Sequence, residues 1–286
     1  MERASFLMCR PTYFGVRYEI NPWMDTGRQP DPALALRQWE ALRRALEEIG
    51  AEVRTCAPRP RLPDMTFTAN AGLVSGTTFI ASRFRHEERA PEEPHFAAWF
   101  RRQGYRVVDL PKDYRFEGEG DALFLGRKLF AGYYIRSDIQ THEAIGSMLD
   151  VQVLSLSLVN EHFYHLDTCF APVRPGCAVY YPPAFDRYSL QVIRNNVGDL
   201  IAVSEEEARR FCCNMVVVGR QAVVPGPCDD LARELEARGL GVHVLGFSEF
   251  LKSGGAAKCL TLRLSRPGYP SSAPPGSQSK SASSSD

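Results

Sequence analysis

The sequence predicts an α/β fold built from five repeated units that close on themselves like propeller blades. An amphipathic helix, a Gly or Asp stop and a short β-branched strand recur five times. The stops fall at residues 50, 104, 150, 198 and 239, so successive stops are 54, 46, 48 and 41 residues apart. A nearly constant period in this range is typical of repeat architectures. Hairpin-like segments at 71–80 and 216–224 lie between units. An ordinary open α/β sheet is the alternative.

The first helix has the clearest start and stop signals. Asp31 and Pro32 suit the N-cap and first helical position, and Gly50 ends the pattern. Its apolar stripe follows helical spacing and consists of Trp39, Leu42, Leu46 and Ile49. A strand is expected at 51–53. The other helices are expected at 96–103, 138–150, 185–196 and 229–238, and the strands that follow them at 105–108, 151–154, 200–203 and 242–245.

The last 22 residues differ in composition from the rest of the chain. Residues 265–286 are almost entirely Ser, Pro, Gly and Ala after a short Pro-Gly-Tyr-Pro stretch. Such a segment buries too little apolar surface to offset its chain entropy, so we expect a disordered tail. Residues 1–264 are expected to form a single catalytic domain.

Composition narrows the partners to small molecules. The chain has 286 residues, 44% of them hydrophobic, and 34 basic residues balance 34 acidic ones. No basic surplus suggests nucleic acid, and no long apolar run suggests a membrane. The start of the chain lacks the apolar core of a signal peptide, which favours a cytoplasmic protein with reduced thiols. The 8 cysteines and 6 histidines show no metal-ligand spacing. Neither a metal nor an organic cofactor is expected, and a homo-oligomer is possible.

Three short segments supply the parts of a cysteine nucleophile served by an acid-oriented histidine. Residues 116–121 carry Glu117, residues 165–167 begin with His165, and residues 258–260 centre on Cys259. Small residues at 253–257 allow a backbone to approach a ligand closely beside that cysteine. The alternatives are a buried structural thiol and Glu119 in place of Glu117 as the catalytic acid.

In order along the chain, four motifs resemble those of the guanidine-modifying superfamily. Residues 64–70 resemble its guanidine-binding segment, 116–121 its acid loop, 164–169 its histidine loop and 254–259 its nucleophile loop. The resemblance covers about residues 8–264 and implies the pentein fold, a five-fold pseudosymmetric α/β propeller of ββαβ-type units. The superfamily includes arginine deiminases, dimethylarginine dimethylaminohydrolases, amidinotransferases and arginine dihydrolases.

By this resemblance, Cys259 attacks the guanidinium carbon. His165 protonates the departing ammonia, and then activates the water that cleaves the S-alkylthiouronium intermediate. Glu117 would orient His165. The resemblance also implies substrate-binding residues. These are Asn70, Asp167, Asp121, Asn21, Arg89 and Asp64. Asn21 and Arg89 would bind the amino-acid end of arginine, with Arg85 as the alternative to Arg89.

Asn70 selects among the activities of the superfamily. Deiminases resemble this segment but end it with a carboxylate, whereas arginine dihydrolases end it with Asn. An amide both donates and accepts hydrogen bonds, so it can hold a neutral ureido group for a second hydrolysis. We therefore expect an arginine dihydrolase, which makes ornithine, carbon dioxide and two ammonia. A dimethylarginine dimethylaminohydrolase, an arginine deiminase and an amidinotransferase are the alternatives. A non-catalytic binding pentein and a redox protein using Cys212 and Cys213 are hypotheses from other classes.

Overall fold

The computed structural model describes residues 3–265. The helices are α1 (Pro32–Glu48), α2 (Glu93–Arg102), α3 (Gln140–Leu149), α4 (Arg187–Asn196), α5 (Glu205–Arg209) and α6 (Asp229–Ala237). The strands are β1 (Ser5–Cys9), β2 (Glu52–Cys56), β3 (Gly72–Ser75), β4 (Thr78–Ala81), β5 (Arg106–Val108), β6 (Ala122–Leu125), β7 (Lys128–Tyr133), β8 (Gln152–Ser157), β9 (Phe170–Arg174), β10 (Cys177–Tyr180), β11 (Asp199–Ala202), β12 (Val216–Val218), β13 (Gln221–Pro225), β14 (Gly241–Leu245) and β15 (Leu262–Arg263).

The strands form five separate three-stranded sheets with one shared topology. In the sheet β3-β4-β5, the first two strands are antiparallel and the last two are parallel, with α2 in the crossover. The sheets β6-β7-β8, β9-β10-β11 and β12-β13-β14 repeat this pattern. The fifth sheet is β15-β1-β2, in which β1 pairs antiparallel with β15 and parallel with β2. The predicted five ββαβ units are confirmed, and the open-sheet alternative is wrong because the strands of different units do not join one sheet.

The predicted helices all form, with small shifts at their ends. Asp31 caps α1 by accepting from the N–H groups of Ala33 and Leu34, at 2.8 and 3.0 Å. The stop at Asp150 has a positive φ of 51°. Helix α4 ends at Asn196 as predicted, and it begins at Arg187, two residues later than predicted. The short helix α5 was not predicted, since five residues are too few to show helical periodicity.

The first strands of the units lie next to one another. Strand β6 contacts β9, β9 contacts β12, and β15 contacts β3. The four predicted motif segments each precede the first strand of a unit, so the topology gathers them at one end of these strands. The hairpin turns that follow the first strands lie at the other end. This arrangement brings together residues that are up to about 190 positions apart in the sequence.

Two expectations about the thiols and the tail are tested by the structure. Cys212 and Cys228 form a disulfide with a Cα–Cα distance of 6.0 Å, so the expectation of uniformly reduced thiols is wrong for this pair. Both side chains are fully buried, at the end of α5 and the start of α6, where packing holds them together. Ser265 belongs to the fold, because its hydroxyl accepts from the Ser5 N–H at 2.9 Å. The rest of the predicted tail lies outside the described residues.

None of the helices within residues 3–265 is long and apolar enough to cross a membrane.

Candidate active site

The nucleophile loop presents Cys259 in a buried position. Its side chain is 2% exposed, and its Sγ lies 3.2 Å from Oδ2 of Asp167. Burial raises the pKa of the Cys259 thiol well above its usual value, and the nearby Asp167 carboxylate raises it further. The thiol is therefore protonated at neutral pH until something offsets the charge of Asp167.

Asn214 fixes the nucleophile loop through both ends of its side-chain amide. Its Oδ1 accepts from the N–H groups of Ala256 and Cys259, at 3.2 and 3.1 Å. Its Nδ2 donates to Sγ of Cys259 at 3.1 Å and to the carbonyl of Asp167 at 3.0 Å. Asn214 therefore connects the nucleophile loop to the histidine loop. The sequence interpretation missed this residue.

The predicted histidine and acid are hydrogen-bonded partners. Nε2 of His165 lies 2.7 Å from Oε2 of Glu117, and both side chains are buried. Burial alone would raise the pKa of Glu117, but Arg136 at 3.1 Å and the bonded His165 hold that pKa well below its usual value. Glu117 is therefore an anion that orients the imidazole. Arg136, which the sequence interpretation also missed, lies over the ring of Tyr164 at 4.5 Å.

Glu119, the alternative catalytic acid, has a different place. Its Oε2 lies 3.0 Å from Nζ of Lys258 and accepts from the N–H of Arg263 at 3.0 Å. These contacts tie the acid loop to the residues around the nucleophile. The geometry thus favours Glu117 over Glu119 as the partner of His165.

Both side-chain oxygens of Asp121 accept hydrogen bonds from protein groups. Its Oδ2 accepts from Ser137 Oγ at 2.6 Å, and its Oδ1 accepts from the N–H of Leu166 at 3.1 Å. Burial raises the pKa of Asp121 to about 6. Asp121 thus connects Ser137 to the histidine loop, and its predicted contact with substrate stays a prediction.

Asn70 is held in one orientation by a buried arginine. Oδ1 of Asn70 accepts from Nη1 of Arg89 at 2.8 Å, and Nδ2 of Asn70 donates to the carbonyl of Glu117 at 3.3 Å. Arg89 also forms a two-point ion pair with Glu92, at 3.0 and 2.9 Å. Four of the five N–H groups of Arg89 thus have protein partners, the fourth contact being with the Asp64 carbonyl. Its predicted contact with a substrate carboxylate stays a prediction.

Arg85 and Asn21 also have defined protein partners. The guanidinium of Arg85 forms an ion pair with Asp138 at 2.5 Å, so this residue supports the acid loop. Asn21 donates to the carbonyl of Ser253 at 3.1 Å and accepts from the N–H of Trp23. Asn21 therefore borders the nucleophile loop, and its predicted contact with the amino-acid end of arginine stays a prediction.

Two buried carboxylate oxygens accept no hydrogen bond from residues 3–265. They are Oδ1 of Asp64 and Oδ1 of Asp167. The other oxygen of Asp64 accepts from Tyr18 at 2.9 Å. Burial raises the pKa of Asp64, although Arg89 opposes this effect, and burial raises the pKa of Asp167 to about 6. Buried acceptors without donors are costly, and a ligand rich in N–H groups would satisfy them.

The two missed residues could have been found by different signals. Asn214 lies just before β12, at the place where every other unit carries a site loop. Repeat equivalence would therefore have identified it. Arg136 has no such signal, because it follows β7 in a turn and its importance depends on contact with Glu117.

Among residues 3–265, no cluster of three or more His, Cys, Asp and Glu side chains is arranged to hold a metal ion.

Comparison with known proteins identifies the family. The sequence profile described as "N,N dimethylarginine dimethylhydrolase, eukaryotic" matches residues 11–266. This match covers most of the chain. The chain belongs to the dimethylarginine dimethylaminohydrolase family. The predicted membership in the guanidine-modifying superfamily and the predicted pentein fold are confirmed.

The curated relatives of this chain include proteins named for two different activities, and one of them is much longer than this chain. The dimethylarginine dimethylaminohydrolase of Mycobacterium tuberculosis is 38% identical over 91% of this chain and 85% of its own length. The bifunctional arginine dihydrolase/ornithine cyclodeaminase AgrE of Nostoc sp. is 46% identical over 93% of this chain. The present chain spans only 38% of that bifunctional protein.

Solved structures of a second bifunctional relative resemble this chain closely. The N-terminal domain of cyanobacterial ArgZ, an arginine dihydrolase, has been solved as a cysteine-to-serine variant bound to substrate. It superposes with a TM-score of 0.89 at 46% identity, covering 91% of this chain and 98% of that domain. An asparagine-to-serine variant of the same domain has been solved with a reaction intermediate covalently bonded to it. It superposes with a TM-score of 0.90 at 45% identity, covering 93% of this chain and all of that domain.

Proposed function

We propose that this protein is an arginine dihydrolase, which hydrolyses the guanidino group of arginine twice through a covalent intermediate on Cys259. The observation that carries the proposal is the fixed orientation of Asn70. Because Arg89 donates to its Oδ1, the amide nitrogen of Asn70 must face away from Arg89. One of its two N–H groups reaches the Glu117 carbonyl, and the other can donate to a neutral ureido oxygen.

The carboxylates around Cys259 suit a guanidinium. Its N–H groups would satisfy the unpaired Oδ1 atoms of Asp64 and Asp167. Burial and the Asp167 charge together raise the pKa of the Cys259 thiol, and a cation bound beside Asp167 would favour the thiolate against both effects. Substrate binding and thiol activation are therefore the same event in this proposal.

The first hydrolysis proceeds in two stages. The Cys259 sulfur forms a bond to the guanidinium carbon, and the C–N bond to one amino group breaks as His165 gives that group a proton. His165 then accepts a proton from water, the water oxygen bonds to the same carbon, and the C–S bond breaks to release the thiol. Glu117 keeps the imidazole oriented in both stages. The product at this point is the ureido compound citrulline.

The second hydrolysis uses the same groups. The Asn70 amide would retain the ureido oxygen while Cys259 attacks again, and a second ammonia leaves. Hydrolysis of the remaining carbamoyl thioester gives carbon dioxide, and ornithine is released. The relatives named as arginine dihydrolases support this proposal at 46% identity.

The deciding experiment counts products from arginine. Wild type should release two ammonia and one ornithine, and Cys259→Ser should keep its fold and lose turnover. Asn70→Asp should shift the product towards citrulline, because a carboxylate has no proton to give to the ureido oxygen. A mismatch of about 1–3 kcal/mol corresponds to roughly five- to a hundredfold weaker retention. Release of citrulline as the end product of wild type would refute the dihydrolase proposal.

Dimethylarginine dimethylaminohydrolase activity is the second candidate, since the family profile and a 38% identical relative carry that name. The same assay with asymmetric dimethylarginine tests it: citrulline and dimethylamine formed faster than arginine is consumed would favour this activity. The absence of a cofactor requirement, the cytoplasmic location, the single catalytic domain and the oligomeric state stay predictions.

A further inference from the structure

A cavity of about 330 Å³ lies at the end of the first strands opposite to the candidate active site. Hairpin turns of three units reach it through Gly126, Pro175 and Gly219. Neither Cys259 nor His165 is among its lining residues. The cavity is therefore separate from the reacting groups.

Most of the cavity wall is apolar. Buried side chains that line it include Phe6, Leu123, Phe170 and Val216. A concave apolar wall with a few convergent polar groups is the usual form of a small-molecule site. The polar groups then decide which ligand fits.

Of the charged side chains that line the cavity, the two cations Lys258 and Arg263 lie near one carboxylate, that of Glu119. Lys258 forms an ion pair with Glu119 at 3.0 Å. Arg174 at the rim pairs with Asp199 at 3.5 Å. The guanidinium of Arg263 donates to the Val217 carbonyl and lies over the Phe6 ring, and the Glu119 carboxylate, which accepts from the Arg263 backbone N–H at 3.0 Å, also acts on its charge.

We propose that this cavity binds a small organic anion, with its carboxylate at Arg263 and an apolar body against the wall. Charge complementarity selects the carboxylate, because Lys258 and Arg263 together carry more positive charge than the one Glu119 carboxylate beside them offsets. The buried aromatic and aliphatic side chains select the body.

One residue that lines the cavity is the sequence neighbour of the nucleophile. Lys258 lines the cavity and precedes Cys259, and its backbone N–H donates to the carbonyl of Asn214 at 3.0 Å. The positive charge of Lys258 opposes the effect of burial on the pKa of Asp167. An anion bound beside Lys258 would weaken that influence. We therefore expect occupancy of the cavity to slow turnover without competing with substrate, a consequence that rests on the proposed function.

The binding test needs no catalytic assay. The probe is 4-phenylbutyrate, titrated calorimetrically into the full chain carrying Cys259→Ser, with and without saturating arginine. We expect a dissociation constant on the order of 1 mM that arginine leaves unchanged. The neutral analogue 4-phenyl-1-butanol should bind at least about fivefold more weakly, because it cannot form the ion pair with Arg263.

Two variants separate the cavity from other surfaces. Arg263→Met should weaken 4-phenylbutyrate binding at least about fivefold. Arg220→Met is the matched control, because this arginine is exposed, lies beside Gly219 and donates to the Gly239 carbonyl. Its binding should equal that of the parent protein. Equal binding of acid and alcohol, which can be judged even if Arg263→Met fails to fold, would overturn the proposal. The proposal would also be overturned if 4-phenylbutyrate showed no saturable binding, or if arginine displaced it.

The kinetic test is independent of the binding test. In wild type, 4-phenylbutyrate should lower kcat for arginine and leave KM nearly unchanged. Competitive inhibition would place the probe in the active site and contradict the proposal. If the protein has no activity on arginine, the proposed function fails. The calorimetric experiment then still tests whether the cavity binds the organic anion.

Discussion

At the scale of residues, the side chain of Asn214 makes four hydrogen bonds, two of them with Cys259, although nothing in its local sequence suggests a site. In Asn214→Ala, the buried N–H groups of Ala256 and Cys259 would lose their acceptor. We expect the free energy of unfolding to fall by about 2–4 kcal/mol and kcat to fall at least about tenfold, because the thiol is no longer fixed in its attack position. Urea unfolding and steady-state kinetics would measure the two effects. Asn195→Ala, at an exposed position on α4, is the matched control.

The conservative variant Asn214→Asp separates positioning from structure. Its carboxylate can still accept from the two loop N–H groups, so much of the stability should return. It also places a second acidic group beside Asp167 and the thiol, which disfavours the thiolate. Recovered stability with kcat still low would support a positioning role. Full recovery of both would show that Asn214 acts only in folding.

The charge of Asp167 should control the reactivity of the free thiol. Because burial and Asp167 raise the pKa of Cys259, its alkylation by iodoacetamide should keep accelerating as the pH rises beyond 8. Asp167→Asn removes the negative charge and should lower that pKa. A fall of one unit gives about tenfold more thiolate, and weaker nucleophilicity reduces the gain to roughly threefold.

The alkylation rate of Cys259 can be followed by mass spectrometry of its peptide at pH 7.5. Asp113→Asn, in an exposed loop, should leave the rate unchanged. If Asp167→Asn slows alkylation instead, Asp167 does not act on the thiol through its charge.

At the scale of elements, the loops before the first strands meet so closely that one position in the acid loop has no room for a side chain. A Cβ at Gly120 would lie 2.3 Å from Nδ2 of Asn70 and 3.3 Å from the ring of His165. Gly120→Ala must therefore displace the residue proposed to retain the ureido group and the proposed general acid. We expect kcat to fall at least about tenfold, with only a moderate drop in melting temperature, since the loop can shift.

Gly198→Ala is the control for Gly120→Ala. Only a carbonyl at 3.9 Å lies near the added Cβ, so activity and melting temperature should stay close to wild type. Unchanged kcat in Gly120→Ala would show that the acid loop tolerates movement and that its close packing is not needed for catalysis.

The elements themselves were largely predictable, and the contacts between them were not. Helical periodicity located α1 because its apolar stripe is long and its caps are clear. The same signal could not detect α5, which has only five residues. The motifs identified Cys259, His165 and Glu117, but the choice of Glu117 over Glu119 required the distances in the folded chain. The hydrogen bond from Arg89 to Asn70 was also unpredictable, since it joins residues that are 19 positions apart in the sequence.

At the scale of the whole molecule, the ring of units is closed by the two ends of the described chain. Strand β1 is the central strand of the fifth sheet, between β15 and β2, so the last unit is completed by the first strand. Leu264 donates its N–H to the carbonyl of Ser5 at 2.8 Å. The unit that carries Cys259 is thus held together by hydrogen bonds and packing across a break in the chain. This closure brings the nucleophile loop to the acid and histidine loops.

Circular permutation tests whether the closed ring, rather than the order of the chain, determines the fold. Residue 265 can be joined to residue 3 by about four glycine and serine residues, and new ends can be opened between Lys112 and Asp113, which are exposed. We expect this permutant to melt within about 5 °C and turn over within about threefold of an unpermuted chain of residues 3–265. A chain that begins at Arg10 should fail to fold, because β15 and β2 lose the strand between them. Loss of cooperative unfolding in the permutant, measured by circular dichroism, would show that the original ends carry information that the closed ring alone does not.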